Sequence, residues 1–564
     1  MATIVADEAL ALQRLYHWER VAPDRIAMTQ PMGGGLVRDF TWREVLDQSR
    51  RMAAHLQSLG LQTGDRIAIF SKNTAHWLMS DFAILLAGGV SVPLYATLAP
   101  GTIRQILEHS ESKLLFVGKL DGWEHMQLGV PPGVRCICHP LSPEAAKNSY
   151  PSWDDIIATV APLQGEPVRP GDELATIIYT SGTTGTPKGV MHCLAAIAWV
   201  IQTAIKRVPL NSGTRMLSYL PLAHVVERAL VEFGQLESGM RVYFAETLET
   251  FSADLQRARP TVFFSVPRLW VKFQQGVLAH IPAAKLDRLL KLPLIRGIVS
   301  RKILAALGLD RCIFAVGGAA PMPLELLRWY ARLGLNIGEG YGMTENLAAS
   351  HLAVPAQRAF GTVGQPYDGV QCRLDPSNGE IQVKSPARML GYYKEPVLSQ
   401  QAFTDDGWLH TGDCGTLDAA GNLTITGRVK DLFKTSKGKY VAPAPIEDKL
   451  VMHTAVEACC VTGANLKQPI ALIMLNESTV KKLTDTTFRS ELESSLTEHL
   501  ALVNETLDPH ERLDHLIVIT DPWTVDNDLI TPTLKVKRNR IEARYAKSYD
   551  GWVRRNNAVV WNES

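Results

Sequence analysis

Hydroxyl, glycine and lysine side chains are concentrated in one short stretch, residues 179–190. Before it, a β-branched run at 175–178 predicts a buried strand, and after it an apolar run at 193–208 predicts a helix. Glycines let backbone N–H groups turn towards an anion, hydroxyls add hydrogen-bond donors, and a lysine adds a point charge suited to phosphate. The chemistry indicated is polyphosphate binding by Thr180, Ser181, Gly182, Thr183, Thr184, Gly185, Thr186, Pro187 and Lys188.

This stretch differs from the common P-loop. A P-loop has Gly directly before its Lys and Ser or Thr directly after it, whereas Pro187 precedes and Gly189 follows Lys188 here. The alternative is a polar surface loop rich in turn-forming residues. That alternative explains the glycines, but it does not explain a lysine inside so dense a run of hydroxyls.

A second glycine-rich stretch, residues 338–345, combines a flat ring with a carboxylate. Gly340 permits close approach of the backbone, and Tyr341 offers a face for an adenine ring. Thr344 offers a hydroxyl to an α-phosphate, and Glu345 offers the hard oxygen ligand that Mg²⁺ prefers. The alternative is a glycine-rich strand end with a surface glutamate.

Together the two stretches closely resemble the signatures of the adenylate-forming superfamily, which includes acyl-CoA synthetases, peptide-synthetase adenylation domains and beetle luciferases. The resemblance implies that the first loop holds the β- and γ-phosphates of ATP, with Thr180 and Glu345 at Mg²⁺. It also implies nucleotide contacts from the segment 316–321 and from the second stretch, through Gly318, Ala319, Glu339, Gly340, Tyr341 and Thr344.

Three further segments match the same superfamily. The resemblance assigns Asp413, at the end of Trp-Leu-His-Thr-Gly-Asp, to the ribose hydroxyls, and Arg428 to ribose and phosphate. It makes Lys430 the hinge between a large and a small domain. In the small domain it assigns Lys535 to the carboxylate and α-phosphate during adenylation and Lys437 to the thioester-forming step, although a basic helix start at the surface is the alternative for Lys535.

The segment Pro-Leu-Ala-His-Val-Val-Glu-Arg at 221–228 indicates the acid that is activated. Its form resembles long-chain fatty acyl-CoA synthetases and makes His224 an acyl-pocket residue, counted with Thr344, Glu345 and Lys535 as catalytic. Amino-acid-activating relatives place an aspartate in this region, and no Phe-Asp pair occurs between residues 218 and 227. The resemblance therefore implies an ATP-dependent ligase that joins a medium- or long-chain fatty acid to CoA.

Three other functions stay open from the sequence. A fatty acyl-AMP ligase would pass the acyl group to a carrier protein, and an aryl-acid–CoA ligase would take an aromatic acid. A non-enzymatic sensor of acyl chains or nucleotide should have lost Glu345, Asp413 or Lys535, and all three are present. Acyl chain length and oligomeric state do not follow from the sequence.

Alternation of predicted strands and helices favours an α/β fold. Residues 1–429 are predicted to form a large domain of helix-covered, mostly parallel sheets, followed from 371 by a small antiparallel barrel or meander. Residues 430–564 are predicted to form a small, mobile α+β domain. The Pro-rich run at 131–170 is interpreted as a connection.

Composition limits the partners and the compartment. The 564 residues include 58 basic and 57 acidic side chains, a net charge of +1, which gives no support for nucleic acid as the main partner. Eight cysteines without regular spacing and an N-terminus without a signal-peptide pattern indicate a cytoplasmic protein. Residues 284–307 mix leucines and isoleucines with six basic residues. A peripheral contact with an anionic membrane is one interpretation of that segment, and an ordinary helical pair is the other.

Overall fold

The computed structural model describes residues 5–181, 187–357, 359–531 and 535–562. The side chains of Ser181 and Gln357 also lie outside the description. Among the helices of these ranges, none combines the length and hydropathy needed to cross a bilayer.

The first 160 residues alternate between helices and strands. The elements are α1 (Ala11–Val21), β1 (Ile26–Gly33), β2 (Leu36–Thr41), α2 (Trp42–Ser58), β3 (Arg66–Phe70), α3 (Ala75–Leu86), β4 (Val90–Leu94), α4 (Pro100–Ser110), β5 (Leu114–Val117), α5 (Trp123–Met126), β6 (Arg135–Cys138), α6 (Glu144–Lys147) and α7 (Trp153–Thr159).

The next segment carries most of the predicted site. Its elements are β7 (Leu174–Ser181), β8 (Pro187–Cys193), α8 (Leu194–Ala204), β9 (Arg215–Ser218), α9 (Val225–Glu227), a π-helix (Arg228–Phe233), α10 (Gly234–Ser238), β10 (Arg241–Phe244), α11 (Phe251–Ala258), β11 (Val262–Ser265), α12 (Pro267–His280), α13 (Ala283–Leu290), α14 (Pro293–Ala306), β12 (Phe314–Gly318), α15 (Leu324–Arg332) and β13 (Ile337–Tyr341).

Short strands and turns then lead into the C-terminal part. The elements are β14 (His351–Leu352), β15 (Gln365–Pro366), β16 (Gln371–Leu374), β17 (Glu380–Lys384), β18 (Gly391–Tyr392), α16 (Pro396–Gln401), β19 (Leu409–Leu417), β20 (Leu423–Arg428), β21 (Phe433–Lys434), β22 (Tyr440–Val441), α17 (Pro443–Leu450), β23 (Val456–Thr462), β24 (Ile470–Leu475), α18 (Glu477–Val480), α19 (Thr486–Glu505), β25 (His515–Ile519), α20 (Arg538–Tyr545), α21 (Tyr549–Trp552) and β26 (Val559–Asn562).

Two large sheets carry several of the predicted site residues, while Asp413 and Arg428 lie on the smaller sheet that contains β19 and β20. The first has seven strands in the order β18-β8-β7-β4-β3-β5-β6, parallel from β7 to β6. The second has the order β11-β12-β13-β14-β15, with β11, β12 and β13 parallel. A third sheet, β2-β1-β10-β9, is parallel except for the β1–β2 hairpin. Buried runs such as β3 and β5 fit strands that are covered on both faces.

Most residues from 371 onwards form two smaller units, while β18 joins the seven-stranded sheet. Strands β16, β17, β19 and β20 pair antiparallel in that order, so the structure has the meander of the two forms predicted. The C-terminal sheet, β23-β24-β25-β26, is antiparallel at its first pair and parallel after it. Helices α17 and α19 cover one face, where Ile446 and Leu450 share a core with Leu496 and Leu500. The predicted α/β class, with a small C-terminal α+β unit, is confirmed.

Two local predictions were wrong. Residues 187–193 form strand β8, so the phosphate-loop candidate connects two antiparallel strands, and the helix after it extends only from Leu194 to Ala204. The supposed connection at 131–170 contains β6, which pairs with β5 at the sheet edge. Both strands are stabilised by a neighbouring strand, and neither has a strong local pattern.

Candidate active site

A cavity of about 2010 Å³ opens between the large part of the chain and the C-terminal unit. It gathers most of the predicted site residues: Thr180, Pro187, Lys188, His224, Ala319, Glu339, Gly340, Tyr341, Thr344, Glu345, Asp413, Arg428, Lys430 and Lys535. Gly318 lies directly beside this lining on β12, and Lys437 is not part of it. Gly182, Thr183, Thr184, Gly185 and Thr186 lie outside the described residues, as does the Ser181 side chain.

The β7–β8 hairpin brings the hydroxyl and the lysine of the loop together. Thr180 and Lys188 are direct partners at its end. A Cβ on Gly189 would lie 2.7 Å from Ile177 Cγ2, so glycine permits the close approach of the two strands here. The Lys188 ammonium lies 5.4 Å from the ring centroid of Tyr392. The aromatic face holds this cation at the cleft.

Glu345 lies in a short 3₁₀ helix, Thr344–Asn346, that follows β13. Burial raises the pKa of its carboxyl, while the hydrogen bond from Tyr392 and the charges of Arg428 and Lys188 oppose that rise. The Tyr392 hydroxyl donates to Glu345 Oε1 at 2.9 Å. A carboxylate held in this way, close to two cations, suits a divalent metal that arrives with phosphates.

His192 connects β8 to the same 3₁₀ helix. Its Nε2 lies 2.7 Å from the Thr344 carbonyl oxygen. Burial lowers the pKa of His192 to about 4, so the ring is neutral near pH 7. The proton therefore lies on Nε2, which donates to the carbonyl, and this bond fixes the position of Thr344 relative to the hairpin.

Tyr341, Asp413 and Arg428 form one hydrogen-bonded group. The Tyr341 hydroxyl donates to Asp413 Oδ2 at 2.8 Å, and Arg428 Nε donates to Asp413 Oδ1 at 3.0 Å. Asp413 and Arg428 are cross-strand partners on β19 and β20. Each carboxylate oxygen keeps a lone pair, so Asp413 can still accept from two neighbouring hydroxyls.

Glu339 lines the cavity and accepts hydrogen bonds from two backbone N–H groups. Its Oε2 accepts from the Met322 N–H at 3.1 Å and its Oε1 from the Gly361 N–H at 3.3 Å. Burial raises its pKa to about 7. These contacts position the turn after β12, where Ala319 has a φ of +68°. A Cβ on Gly318 would lie 2.9 Å from the Phe264 ring, so this segment has no room for a side chain there.

His224 is the N-cap of α9 at the wall of the cavity. Its Nδ1 accepts from the Val226 N–H at 3.3 Å, which leaves Nε2 to carry the proton of the neutral ring. Burial, with a smaller effect of Lys535, lowers the pKa of His224 to about 4. The ring is therefore an uncharged donor near pH 7.

Asn73 fixes the segment that leads to His224, and the sequence did not identify it. Its Nδ2 donates to Ser218 Oγ at 2.8 Å and to the Leu220 carbonyl at 2.6 Å, and its Oδ1 accepts from the Leu222 N–H at 3.0 Å. Glu227 Oε1 accepts from Ser218 and from the Tyr219 N–H. Tyr392 was also missed. Both come from distant segments and belong to no motif of their own, so only the fold could reveal them.

The C-terminal unit presents Lys535 to the cavity and leaves Lys437 outside it. The loss of solvation in the cleft lowers the pKa of Lys535, with Arg428 adding to that effect and Asp413 opposing it. Lys437 Nζ instead donates to Gln468 Oε1 at 3.1 Å. Lys430 lies in a turn directly after β20, between the two units.

One branch of the cavity is apolar. Helix α8 and the π-helix contribute aliphatic side chains to it, and no charged side chain of either element lines it. The lining residues from these elements and the segments beside them are Val200, Ile201, Ala204, Val208, Leu210, Val225, Val226, Ala229, Leu230 and Gly234. The charged side chain of the π-helix, Arg228, is buried against Asp81 and Glu232, at 2.7 and 2.8 Å.

Comparison with known proteins agrees with this architecture. Residues 15–393 match the family of AMP-binding enzymes, and residues 430–555 match the C-terminal domain of AMP-binding enzymes. The long-chain-fatty-acid–CoA ligase FadD15 of Mycobacterium bovis is 31% identical over 580 aligned residues, which cover 95% of this chain and 96% of the relative. The long-chain-fatty-acid–[acyl-carrier-protein] ligase AEE15 of Arabidopsis thaliana is 24% identical, covering 93% and 84%.

The adenylation domain of the carboxylic acid reductase from Segniliparus rugosus, solved with AMP and a co-purified carboxylic acid, shares the fold. The TM-score is 0.79 at 24% identity, over 96% of this chain and 94% of that domain. The family match spans more than half of the chain, and FadD15 aligns with almost all of it. The chain therefore belongs to the family of AMP-binding enzymes.

Proposed function

We propose that this protein is an ATP-dependent fatty acid–CoA ligase that forms an acyl adenylate and then an acyl-CoA. One observation carries the proposal: a single cavity joins a cationic, carboxylate-bearing half to a branch lined by aliphatic side chains. The polar half suits a nucleotide polyphosphate, and the apolar branch suits an unbranched hydrocarbon chain. The name of FadD15, which describes a long-chain fatty acid and CoA, supports the same assignment.

The polar half fits ATP. Asp413 has lone pairs for both ribose hydroxyls, Tyr341 offers a ring face for adenine, and Arg428 adds a positive charge beside them. Lys188 and the hydroxyl of Thr180 lie at the end of the hairpin, where the outer phosphates would bind. The AMP in the carboxylic acid reductase structure is consistent with a nucleotide in this cleft.

Magnesium fits the same half only together with phosphates. Among the described residues there is no cluster of three or more His, Cys, Asp or Glu that could hold a metal alone. Glu345 and Thr180, which both line the cavity, would supply one carboxylate and one hydroxyl to Mg²⁺ bound together with phosphates. When bound, the metal neutralises the negative charge that the phosphates gather during the transfer.

In the first half-reaction a carboxylate oxygen of the acid attacks the α-phosphorus of ATP. A new oxygen–phosphorus bond forms, the bond to the β-phosphate breaks, and pyrophosphate leaves. Lys535 and Arg428 offset the charge around the α-phosphate, while the neutral His224 ring donates from Nε2 towards the acid. In the second half-reaction the CoA sulfur attacks the acyl carbonyl carbon, and AMP leaves with the carboxylate-derived oxygen.

A series of carboxylic acids, compared as substrates, tests the proposal. Pyrophosphate release is measured with saturated fatty acids of increasing length, with aromatic acids and with free amino acids, each with and without CoA. We expect the fastest release with a medium- or long-chain fatty acid and conversion to acyl-CoA when CoA is present. Faster release with an aromatic or amino acid would overturn the substrate class, and acyl adenylate that reacts with a carrier protein but not with CoA would overturn the acceptor.

Replacing Glu345 with alanine should slow acyl-adenylate formation by about 100-fold, since it removes a preorganised charge from the reaction centre. The measurement is the initial rate of pyrophosphate release over a Mg²⁺ titration. Glu325→Ala is the matched control, because Glu325 lines the cavity and forms a surface ion pair with Arg328 at 2.7 Å. Its rate of pyrophosphate release should fall by less than about threefold. Near-full activity of Glu345→Ala at ordinary Mg²⁺ would remove Glu345 from the metal.

Ala229→Trp should reduce the maximum chain length of the fatty acids that the protein accepts. Ala229 lies on the π-helix and lines the apolar branch, so an indole there fills space that a long chain would use. We expect kcat/KM for a long-chain acid to fall by about 30-fold, the scale of overpacking an apolar site, with a short-chain acid nearly unchanged. Ala161→Trp, at an exposed position after α7, is the control. An equal loss for short and long acids would show that the chain binds elsewhere.

A further inference from the structure

Helices α13 and α14, residues 283–306, form a hairpin with large apolar side chains exposed at its turn and along the start of α14. Residues 291–298 are all exposed, including four large apolar side chains. Leu294 is 91% exposed and Ile298 58%, while Leu292 and Ile295 are 46% and 39% exposed. Single exposed leucines are ordinary, but four within seven residues form a contiguous patch that water solvates poorly.

The same hairpin carries a strong positive charge. It contains six basic residues and one acidic residue, a net charge of +5 in a chain whose total is +1: the basic residues are Lys285, Arg288, Lys291, Arg296, Arg301 and Lys302. The acidic residue, Asp287, is paired with Arg332 at 2.6 Å. Within the described ranges, no salt bridge is found for any of the six basic side chains. Their charge therefore stays available to a partner.

Two basic residues of α14, Arg301 and Lys302, share a face of the helix with the exposed Leu294 and Ile298. Leu294 and Ile298 are four residues apart, and Arg301 and Lys302 follow three and four residues after Ile298, so all four lie on neighbouring turns. The opposite face is the packed one, where Ser300 and Ile303 are buried. An outward face that combines exposed apolar side chains with basic ones suits the interface of an anionic membrane, where the apolar side chains meet the lipid chains and the basic ones meet the headgroups.

We propose that the α13–α14 hairpin docks the protein onto an anionic lipid surface, with Leu294 and Ile298 inserted among the lipid chains and the basic residues at the headgroups. A second copy of the chain is a poorer partner, because a two-fold contact through this patch would place +5 against +5. Lipid phosphates instead supply the opposite charge, and the acyl region accepts the apolar side chains.

The hairpin lies close to the candidate active site. Arg296 donates to the Arg332 carbonyl at 3.1 Å, at the end of α15, whereas Leu324 and Glu325 at the start of α15 line the cavity. Nine helical residues separate the two by about 12 Å along the axis. If the proposed fatty-acid substrate is correct, docking places the cavity next to the phase in which that acid is dissolved. The docking itself does not depend on that function.

Vesicle binding by the full chain tests the proposal. Co-sedimentation is measured with phosphatidylcholine vesicles and with vesicles that also contain phosphatidylglycerol, at low ionic strength. We expect binding only to the anionic vesicles. Arg301→Gln with Lys302→Gln should weaken it by about 30-fold, since each basic residue at such a surface contributes about 1 kcal/mol, and Leu294→Ser with Ile298→Ser by about tenfold through lost apolar burial.

Matched controls separate docking from general effects. Leu248→Ser removes a leucine that is 87% exposed outside the hairpin, and Lys206→Gln with Lys467→Gln removes two exposed charges elsewhere. Both should keep vesicle binding, and all variants should keep the thermal midpoint of the parent chain. Equal binding to neutral and anionic vesicles, or an equal loss in the controls, would overturn the proposal. So would self-association that the Leu294→Ser, Ile298→Ser variant abolishes while its lipid binding stays intact.

Discussion

Lys535→Ala is expected to slow acyl-adenylate formation by about 1,000-fold, the scale of losing a preorganised charge at the reaction centre. Lys535 lies in the cavity with His224, Asp413 and Arg428, close enough to affect the pKa of His224. Alanine removes the one cation that the C-terminal unit is proposed to bring to the α-phosphate. Pyrophosphate release with a fatty acid and MgATP measures this half-reaction.

The same variant should still complete the second half-reaction. Synthetic acyl adenylate supplied with CoA should be converted to acyl-CoA at a rate within about threefold of the parent rate. Lys535 is proposed to act only in the first half-reaction, in which the acyl adenylate forms. Lys437→Ala is the matched control, since Lys437 lies outside the cavity, against Gln468. It should show the opposite pattern. A Lys535→Ala variant that is equally slow in both half-reactions would contradict the division of roles.

The sequence predicts a strand well where the strand's own residues show the apolar pattern of a buried segment. Strands β3 and β17 have such a pattern: Arg-Ile-Ala-Ile-Phe is a buried apolar run, and Glu-Ile-Gln-Val-Lys alternates apolar and polar residues, with turn residues around both. Strand β8 begins with Pro187-Lys188-Gly189, a poor strand sequence, and forms because β7 lies beside it. Pairing across the sheet outweighed local propensity at that position.

The residues of the candidate site also fall into those that the sequence predicts and those that only the fold reveals. Tyr341, Glu345 and Asp413 could be proposed from the sequence because they lie in segments that resemble the signatures of a known superfamily. Their supports could not: Tyr392 is 47 residues from the Glu345 that it holds, and Asn73 is 145 residues from Ser218. A single tyrosine or asparagine has no spacing that marks it. Such positioning residues become visible only when the fold brings distant segments together.

Lys430→Pro is expected to leave adenylation measurable and to slow thioester formation by more than about 150-fold, the scale of forcing proline onto an incompatible backbone. Lys430 lies in the turn between β20 and the C-terminal unit, and in the described residues its N–H donates to no backbone carbonyl. The substitution therefore breaks no backbone hydrogen bond of the arrangement that presents Lys535. In the proposed hinge role, it restricts the dihedral change that would withdraw Lys535 and bring Lys437 to the acyl adenylate.

Lys430→Ala separates the effect of the proline ring from the loss of the lysine side chain, because alanine removes that side chain and leaves the backbone free to rotate. It should retain both half-reactions within about threefold. Rearrangement must also break the contact between Arg268 of α12 and Glu457 of β23, which joins the two units here. If Lys430→Pro supports thioester formation from supplied acyl adenylate at the parent rate, the turn at 430 is not the hinge. If Lys430→Ala is as slow as Lys430→Pro, the lysine side chain, and not rotation, is what the second half-reaction needs.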